Sequence, residues 1–398
     1  MVTRAVVFVE GEEALVELGG IPLLERLLRT LERAGIREAL LHGPEAILTR
    51  VPLAPNSARP RLSVTLSAAK GADSARFAAL SVTAFVRADY CYDPRLLDAL
   101  LVTPPPAALR DGSQILAVTL SEPSVTPSEA KGALSADGKA VVEVARLDPY
   151  HPGLRRTLRP YWFAAPPAAD RASAEAVLLD AAQKGSLDLP ARVHAPIENL
   201  LVRALWHTRV TPNQVTLLTT LVAWVATALF ATGRLGAGVL VALLVGVLDG
   251  VDGKLARVTV ATSELGRSEH YLDWLYEFSW WAALAWHFRR SGEVPSALLL
   301  LGVLLAADLT ERAARRVVKR ASGRDPDTLG WFGAGLRLIG GRRNIYIWMF
   351  AVALLLGRPA QGFVLICVWG AVTAAAHLMR ALLLRQRTKP ASPTHEHR

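Results

Sequence analysis

The spacing of apolar residues along the chain changes character near residue 212. Before that point the pattern mixes short β-branched runs with amphipathic stretches. "RAVVFVE" (4–10) predicts a strand, "PLLERLLRTLERAG" (22–35) a helix with a glycine stop, and "REALLHG" (37–43) the next strand. Strand, helix, strand in this order predicts a βαβ unit and a parallel sheet. Farther on, "SVTAFVRADY" (81–90) reads as a strand running into the helix "DPRLLDALL" (93–101), and "PPAADRASAEAVLLDAAQKG" (166–185) supplies another helix. Residues 1–190 therefore form a soluble α/β domain of Rossmann-like type. In "PIENLLVRALWHTR" (196–209), Ile197, Leu200, Leu201, Ala204 and Leu205 fall on one helical face. Residues 191–211 are thus expected to form an amphipathic juxtamembrane helix lying along a bilayer surface.

After residue 212 the apolar runs lengthen. A span needs about 20 mostly apolar residues, and six are expected, at 213–232, 235–257, 270–289, 295–313, 343–357 and 360–384. Residues 212–387 then make an all-α, six-helix transmembrane domain, with 388–398 a disordered tail. The fifth run is short. The second has acids at its end, so its helix must emerge into the headgroup region there.

Composition sharpens this division. The chain is 52% hydrophobic and 20% charged with a net charge of +10, an odd mix for one uniform globule. Most charges lie before residue 212 or in short loops after it. The basic residues from Arg312 to Arg343 and from Arg380 to Lys389 are read as positive-inside bias, which places both termini and the acidic segment in the cytoplasm. A nucleic-acid partner is not expected. Cys91 and Cys367 are far apart without metal-like spacing, so neither a disulfide scaffold nor a zinc site is indicated. The opening "MVTRAVVFVEGEE" turns acidic too soon for a signal peptide, and no cleavage is expected.

The chemistry is concentrated in "LDGVDGKLARVTVATSELGRSEHYLDWLYE" (248–277). Acids at a bilayer edge are costly and by default mark a functional site. Asp249 and Asp252 are three apart, Asp273 and Glu277 four apart, and each pair shares a helix face. Gly253 lets another group approach closely. Two facing helices with two carboxylates each form an oxygen cage suited to hard cations such as Mg²⁺, Mn²⁺ or Ca²⁺. Two such ions can clamp a pyrophosphate and stabilise its leaving group. An ion path in a transporter is the competing class, but that predicts acids mid-span rather than at span ends.

This segment resembles the signature of the CDP-alcohol phosphotransferase family: Asp, two residues, Asp-Gly, two residues, Ala-Arg, eight residues, Gly, three residues, Asp, three residues, Asp. Asp249, Asp252, Gly253, Ala256, Arg257 and Gly266 match in identity and spacing. Strict counting puts His270 and Trp274 where the last two Asp belong. Asp273 and Glu277 have the right mutual spacing three residues late, as a local insertion would give; Glu269 or His270 remain alternatives. "TPNQVT" (211–216) resembles the family's Pro-Asn-x-x-Thr lead-in. The resemblance implies that a CDP-linked lipid or alcohol binds by its pyrophosphate on two Mg²⁺ or Mn²⁺ ions, that an acceptor hydroxyl attacks the β-phosphorus, and that CMP leaves. Asp249, Asp252, Asp273 and Glu277 would hold metal, with Glu277 also the candidate base. Asn213, Thr216, Gly253, Arg257 and Gly266 would meet the nucleotide. Arg342 and Arg343, in "GGRRNIY", would bind a phosphorylated acceptor, and the protein would work in a lipid bilayer as a possible homodimer.

The N-terminal stretch "AVVFVEGEEALVELGGIPLLERLLRTLERAGIREALLHG" resembles the start of a sugar-phosphate nucleotidyltransferase, with Asp89 where that family carries a metal-binding Asp. The Gly-rich phosphate loop is replaced by "EGEEALVE", whose Glu10, Glu12 and Glu13 have the wrong sign for phosphate. The domain is therefore expected to be a relic, structural or regulatory. The alternative is a bifunctional cytidylyltransferase and CDP-alcohol phosphotransferase of the inositol-phosphate type, a fusion whose layout this chain resembles.

Overall fold

The computed structural model describes residues 2–50, 61–68, 83–120, 140–185, 187–261 and 265–387, with the backbone alone at 68, 265–270 and 384–387. The expected tail from 388 onward lies outside these residues. The N-terminal domain is built on a seven-stranded sheet of β1 (Arg4–Phe8), β2 (Glu38–Gly43), β3 (Ser63–Ala68), β4 (Thr83–Arg87), β5 (Ala107–Asp111), β6 (Gln114–Leu120) and β7 (Ala140–Glu143), in the order β7-β5-β6-β4-β1-β2-β3. The expected parallel unit is present: β1 pairs in parallel with β2 and with β4, and α1 (Leu23–Arg33) makes the first crossover. The other half departs from a purely parallel sheet, because β6 runs antiparallel to both β4 and β5.

The alternation of β1 supplies two cores. Ala5, Val7 and Val9 join Leu27 and Leu31 of α1 and Leu97 of α2 (Pro94–Val102) on one face. Val6 and Phe8 join Leu40, Phe85 and Val118 on the other.

The rest is helical. α3 (Arg171–Ala182) and α4 (Leu189–Leu205) lead into α5 (Pro212–Ala231), α6 (Leu235–Val258), α7 (Leu265–Ser291), α8 (Ala297–Ser322), α9 (Gly330–Ile339), α10 (Arg343–Leu355) and α11 (Pro359–Arg387). All six expected spans fall on helices, but not all qualify as spans. Among the described residues, α5, α6 and α11 are long and apolar enough to cross a membrane, and α9 with α10, bent by 52°, make a fourth if taken as one. At 27 and 26 residues, α7 and α8 are long enough but less apolar. Alone, the 13-residue α10 reaches roughly 20 Å, short of a hydrocarbon core of about 30 Å. Much of the stretch 312–343, expected as a loop, is helix: α8 continues to Ser322 and α9 follows. The bundle core is aromatic, with Trp280, Phe230, Phe288, Phe350 and Phe363 fully buried and Trp280 Nε1 donating to the Ala223 carbonyl at 2.8 Å.

α4 is amphipathic as expected, with its two faces turned in different directions. Ile197 and Leu200 are exposed, whereas His194, Glu198 and Val202 are buried. The reason is Lys254 of α6, itself buried. Its Nζ donates to Glu198 at 2.8 Å, to Asn199 Oδ1 at 2.8 Å and to the Ala195 carbonyl at 3.3 Å. Buried charge is tolerated because it is paired and hydrogen-bonded.

The two parts are docked on the end of α6. Arg29 donates to the Thr259 carbonyl at 2.7 Å, Arg26 to that of Val258, and Arg257 returns a bond to the Ala182 carbonyl at 2.6 Å. Cations at the last carbonyls of a helix are favoured by its dipole. Gly20, at φ +79°, sits so close that a Cβ would lie 1.7 Å from the Trp206 carbonyl oxygen.

Candidate functional site

Helix α5 begins at a capping box. Thr211 Oγ1 accepts from Gln214 N at 3.3 Å, and Gln214 Oε1 accepts from Thr211 N at 2.8 Å, with Pro212 in the first turn. This start sets the phase that points Thr216 at α6, where its hydroxyl donates to Asp252 Oδ2 at 2.7 Å. Asp252 is 3% exposed.

Asp249 lies three residues earlier on the same helix, about 60° around its axis. That rotation turns it from α5 toward α10. Its Oδ2 accepts from Arg343 Nη2 at 2.7 Å. Arg343 also donates to the Tyr276 hydroxyl, and its guanidinium lies 5.1 Å from the centre of that ring. The Tyr276 hydroxyl in turn meets Asp273 Oδ1 at 3.0 Å. A chain of contacts thus joins Asp249, Arg343, Tyr276 and Asp273 across three helices.

These groups border a cavity of about 340 Å³. Asp249, Asp273 and Glu277 line it together with Arg342 and Arg343. Asp252, next to this group in the sequence pattern, does not. The opposite wall comes from α8, where Asp308, Glu311, Arg312 and Arg315 recur at helical spacing. Arg312 pairs with Asp308 at 2.7 Å. Arg315 grips Asp327 with two bonds of 2.7 and 3.0 Å. Arg342 Nη2 faces the same carboxylate at 3.7 Å and has no hydrogen-bond partner. Asp327 is buried. Burial pushes its carboxyl up, but the Arg315 hydrogen bond and the charges of Arg315, Arg342 and Arg337 outweigh this and hold it well below the usual carboxylate range. From the N-terminal side, Arg155 reaches the same loop at 3.2 Å from Asp325 and 3.7 Å from Asp327, and Asp188 lines the cavity.

The α8 set and Tyr276 were missed in the sequence. The run "DLTERAARR" (308–316) places Asp308, Glu311, Arg312 and Arg315 on one face, and this spacing was the available signal. In the sequence its basic members read only as charge bias.

The nucleotide candidates are spread out. Thr216 serves Asp252, and Asn213 borders a separate cavity between α5, the end of α6 and Gly20. Arg257 lies over Gly253, where a Cβ would meet its Nη1 at 3.0 Å, and faces the N-terminal domain. Gly266 is in the first turn of α7. The side chains of Glu269 and His270 lie outside the described residues.

For a divalent cation the donors are right in kind: Asp249, Asp273 and Glu277 are hard oxygen ligands on one cavity. Asp249, Asp252 and Asp273 each accept from an orienting donor, Arg343, Thr216 or Tyr276, as ligating carboxylates commonly do. Among the described residues, no three acid, histidine or cysteine side chains converge closely enough to hold an ion. The residues fit the group chemically, with Asp249 engaged by Arg343.

In the N-terminal domain, Asp89 is held bidentately by Arg87 at 2.6 and 3.0 Å, and Glu10 lies 3.8 Å from the same guanidinium. Glu12 pairs with Arg50. The acids there are matched by arginines rather than arranged around an open phosphate cradle.

Residues 209–384 match the family model described as CDP-alcohol phosphatidyltransferase. No curated protein matches the chain's sequence. Among solved structures, the chain resembles a Mycobacterium tuberculosis phosphatidylinositol phosphate synthase (PgsA1) with CDP-DAG bound, at 19% identity over 50% of this chain and 99% of that one, with a TM-score of 0.38. A putative glucose-1-phosphate thymidylyltransferase from Bacillus anthracis overlaps 44% of this chain and 94% of its own, at 9% identity and a TM-score of 0.30. Overlays this loose do not bear on the chemistry.

Proposed function

Residues 209–384 being a CDP-alcohol phosphatidyltransferase domain, we propose that the protein is an integral-membrane phosphotransferase of phospholipid or phosphodiester synthesis. It joins a CDP-linked lipid or alcohol to an acceptor alcohol with release of CMP. The observation that carries this reading is the single cavity where Asp249, Asp273 and Glu277 face Arg342 and Arg343.

Asp249, Asp252, Asp273 and Glu277 would hold one or two Mg²⁺ or Mn²⁺ ions. The metal, when bound, supplies positive charge that neutralises the donor pyrophosphate and the departing CMP. The protein's own groups do the rest. Thr216 and Tyr276 hold Asp252 and Asp273 in fixed orientations. The acceptor's hydroxyl oxygen forms a bond to the β-phosphorus while the bond from that phosphorus to the bridging oxygen breaks, and CMP carries away the electron pair. Glu277, on the cavity wall, takes the acceptor's proton. Arg342, beside Arg315 and Arg337, offers planar forks to an acceptor phosphate.

The outward apolar side of α4, with Val193, Ile197 and Leu200, suits the bilayer surface. α5, α6, α7, α8, the α9–α10 pair and α11 would then form the membrane domain. The basic segments keep the cavity and both termini cytoplasmic. The N-terminal domain serves as a docked structural unit, in keeping with the pairing of Asp89 by Arg87.

The test is purified protein in lipid nanodiscs with CDP-diacylglycerol and a panel of polyol phosphates and free alcohols, following CMP release with and without Mg²⁺. Release that requires both an acceptor and the cation supports the reading. Full turnover in excess chelator sinks the metal assignment, and no release from any donor and acceptor pair sinks the activity.

A further inference from the structure

A second cavity, of about 440 Å³, lies between the N-terminal domain and the end of α6. Its size falls in the range of about 300–1,000 Å³ typical of small-molecule sites. None of Asp249, Asp252, Asp273 and Glu277 lines it. Four guanidinium side chains do: Arg26 and Arg33 from α1, Arg95 from the start of α2, and Arg257 from α6. Arg26 and Arg33 are seven residues apart and so share a face of α1.

Only two carboxylates, Asp93 and Asp98, stand among its lining residues. Asp93 is committed to Arg95, at 2.7 and 3.1 Å. Four guanidiniums against two carboxylates leave the walls with an excess of fixed positive charge.

Two of the arginines also have spare donors. Arg26, 4% exposed, gives its Nη atoms to the Val258 and Leu18 carbonyls but leaves Nε without a protein partner. Arg95 likewise leaves Nη1 unpartnered. Tyr92 and Tyr161 add flat aromatic walls.

We propose that this cavity is a second anion site, separate from the catalytic one, that takes a small phosphate-bearing molecule and clamps the N-terminal domain onto α6. Clustered guanidiniums match phosphate oxygens in charge and geometry. The site spans both parts of the chain, so an occupant that contacts Arg33 or Arg95 on one side and Arg257 on the other ties them together. Arg257 is the natural relay: it follows Asp252 by five residues and packs over Gly253. The N-terminal domain thereby gains a use that does not need its lost phosphate loop.

The experiment uses the full-length protein with excess EDTA, so that metal-dependent binding at the catalytic cavity is suppressed. Inorganic phosphate, glycerol 3-phosphate and CMP are titrated by calorimetry, and thermal unfolding is followed in parallel. Saturable binding of at least one probe is expected, with a rise in Tm that grows with its concentration. Arg33→Ser, at an exposed position, should weaken that binding tenfold or more. Asp98→Asn removes a negative charge from the wall and should tighten it. Which probe binds best separates a bare phosphate site from one that also reads a polyol or a nucleoside. Absence of saturable binding by all three probes at millimolar concentration overturns the proposal. So does binding that neither substitution changes.

Discussion

Thr216→Val is the sharpest test of the carboxylate site, because it removes one hydroxyl and keeps the shape. The Thr216 hydroxyl donates to Asp252 Oδ2 at 2.7 Å, and Asp252 is 3% exposed. Water cannot readily take over a bond in so closed a place. A hydrogen bond to a charged group contributes roughly 1.5–3 kcal/mol, and each 1.4 kcal/mol is about tenfold in rate or affinity. Loss of a partner that orients a metal ligand typically costs about 10–100-fold in metal affinity or activity. The expected result is a 10–100-fold loss in CMP release at limiting Mg²⁺, partly restored as Mg²⁺ is raised. Thr219→Val is the control. Thr219 is also buried on α5, but its hydroxyl donates to the Val215 carbonyl at 2.8 Å, one turn back. It should leave the Mg²⁺ midpoint where it was. An unchanged midpoint and rate in Thr216→Val, with a normal Tm, would remove Asp252 from the metal site.

The late register of the second acid pair is tested by comparing Asp273→Asn and Glu277→Gln with Glu269→Gln and His270→Ala in the same assay. The first two should lose at least a hundredfold more activity, and the reverse ranking would favour strict spacing. Arg342→Ala should raise the KM of a phosphorylated acceptor with little change in the donor's KM. Arg343→Ala should lower kcat as well, because Arg343 also holds Asp249 and Tyr276; identical effects of the two would refute this division. Asp327→Asn should lower Tm at pH 7. The folded-state pKa of Asp327 is depressed, so its contribution is present above the unfolded value of about 4 and is lost as pH falls toward the folded one. The Tm gap between wild type and variant should therefore stay constant from pH 7 to about 5 and narrow only below about 4. A gap that closes already near pH 6 would point to another group.

The sequence by itself determined the elements and the chemistry that is local to them. Period-two runs such as "RAVVFVE" and amphipathic runs such as "PLLERLLRTLERAG" fold as read, because the side chains that drive them repeat along the chain. The apolar stretches after residue 212 become helices for the same reason. The acids of 248–277 stand out in the sequence as a candidate site because charge near a membrane is costly. Tertiary structure alone decided which acids meet. Asp249 and Asp252 looked like one pair, yet the position of α6 between α5 and α10 sends one to Thr216 and the other to Arg343. The wall built by Asp308, Glu311 and Arg315 depends on α8 packing beside α7, a contact between distant residues that no local pattern encodes. The polar inner face of α4 follows from Lys254, more than fifty residues away, which draws Glu198 and Asn199 inward. Pairing across that distance decides which face of α4 turns inward, because a buried lysine without its partners is costly.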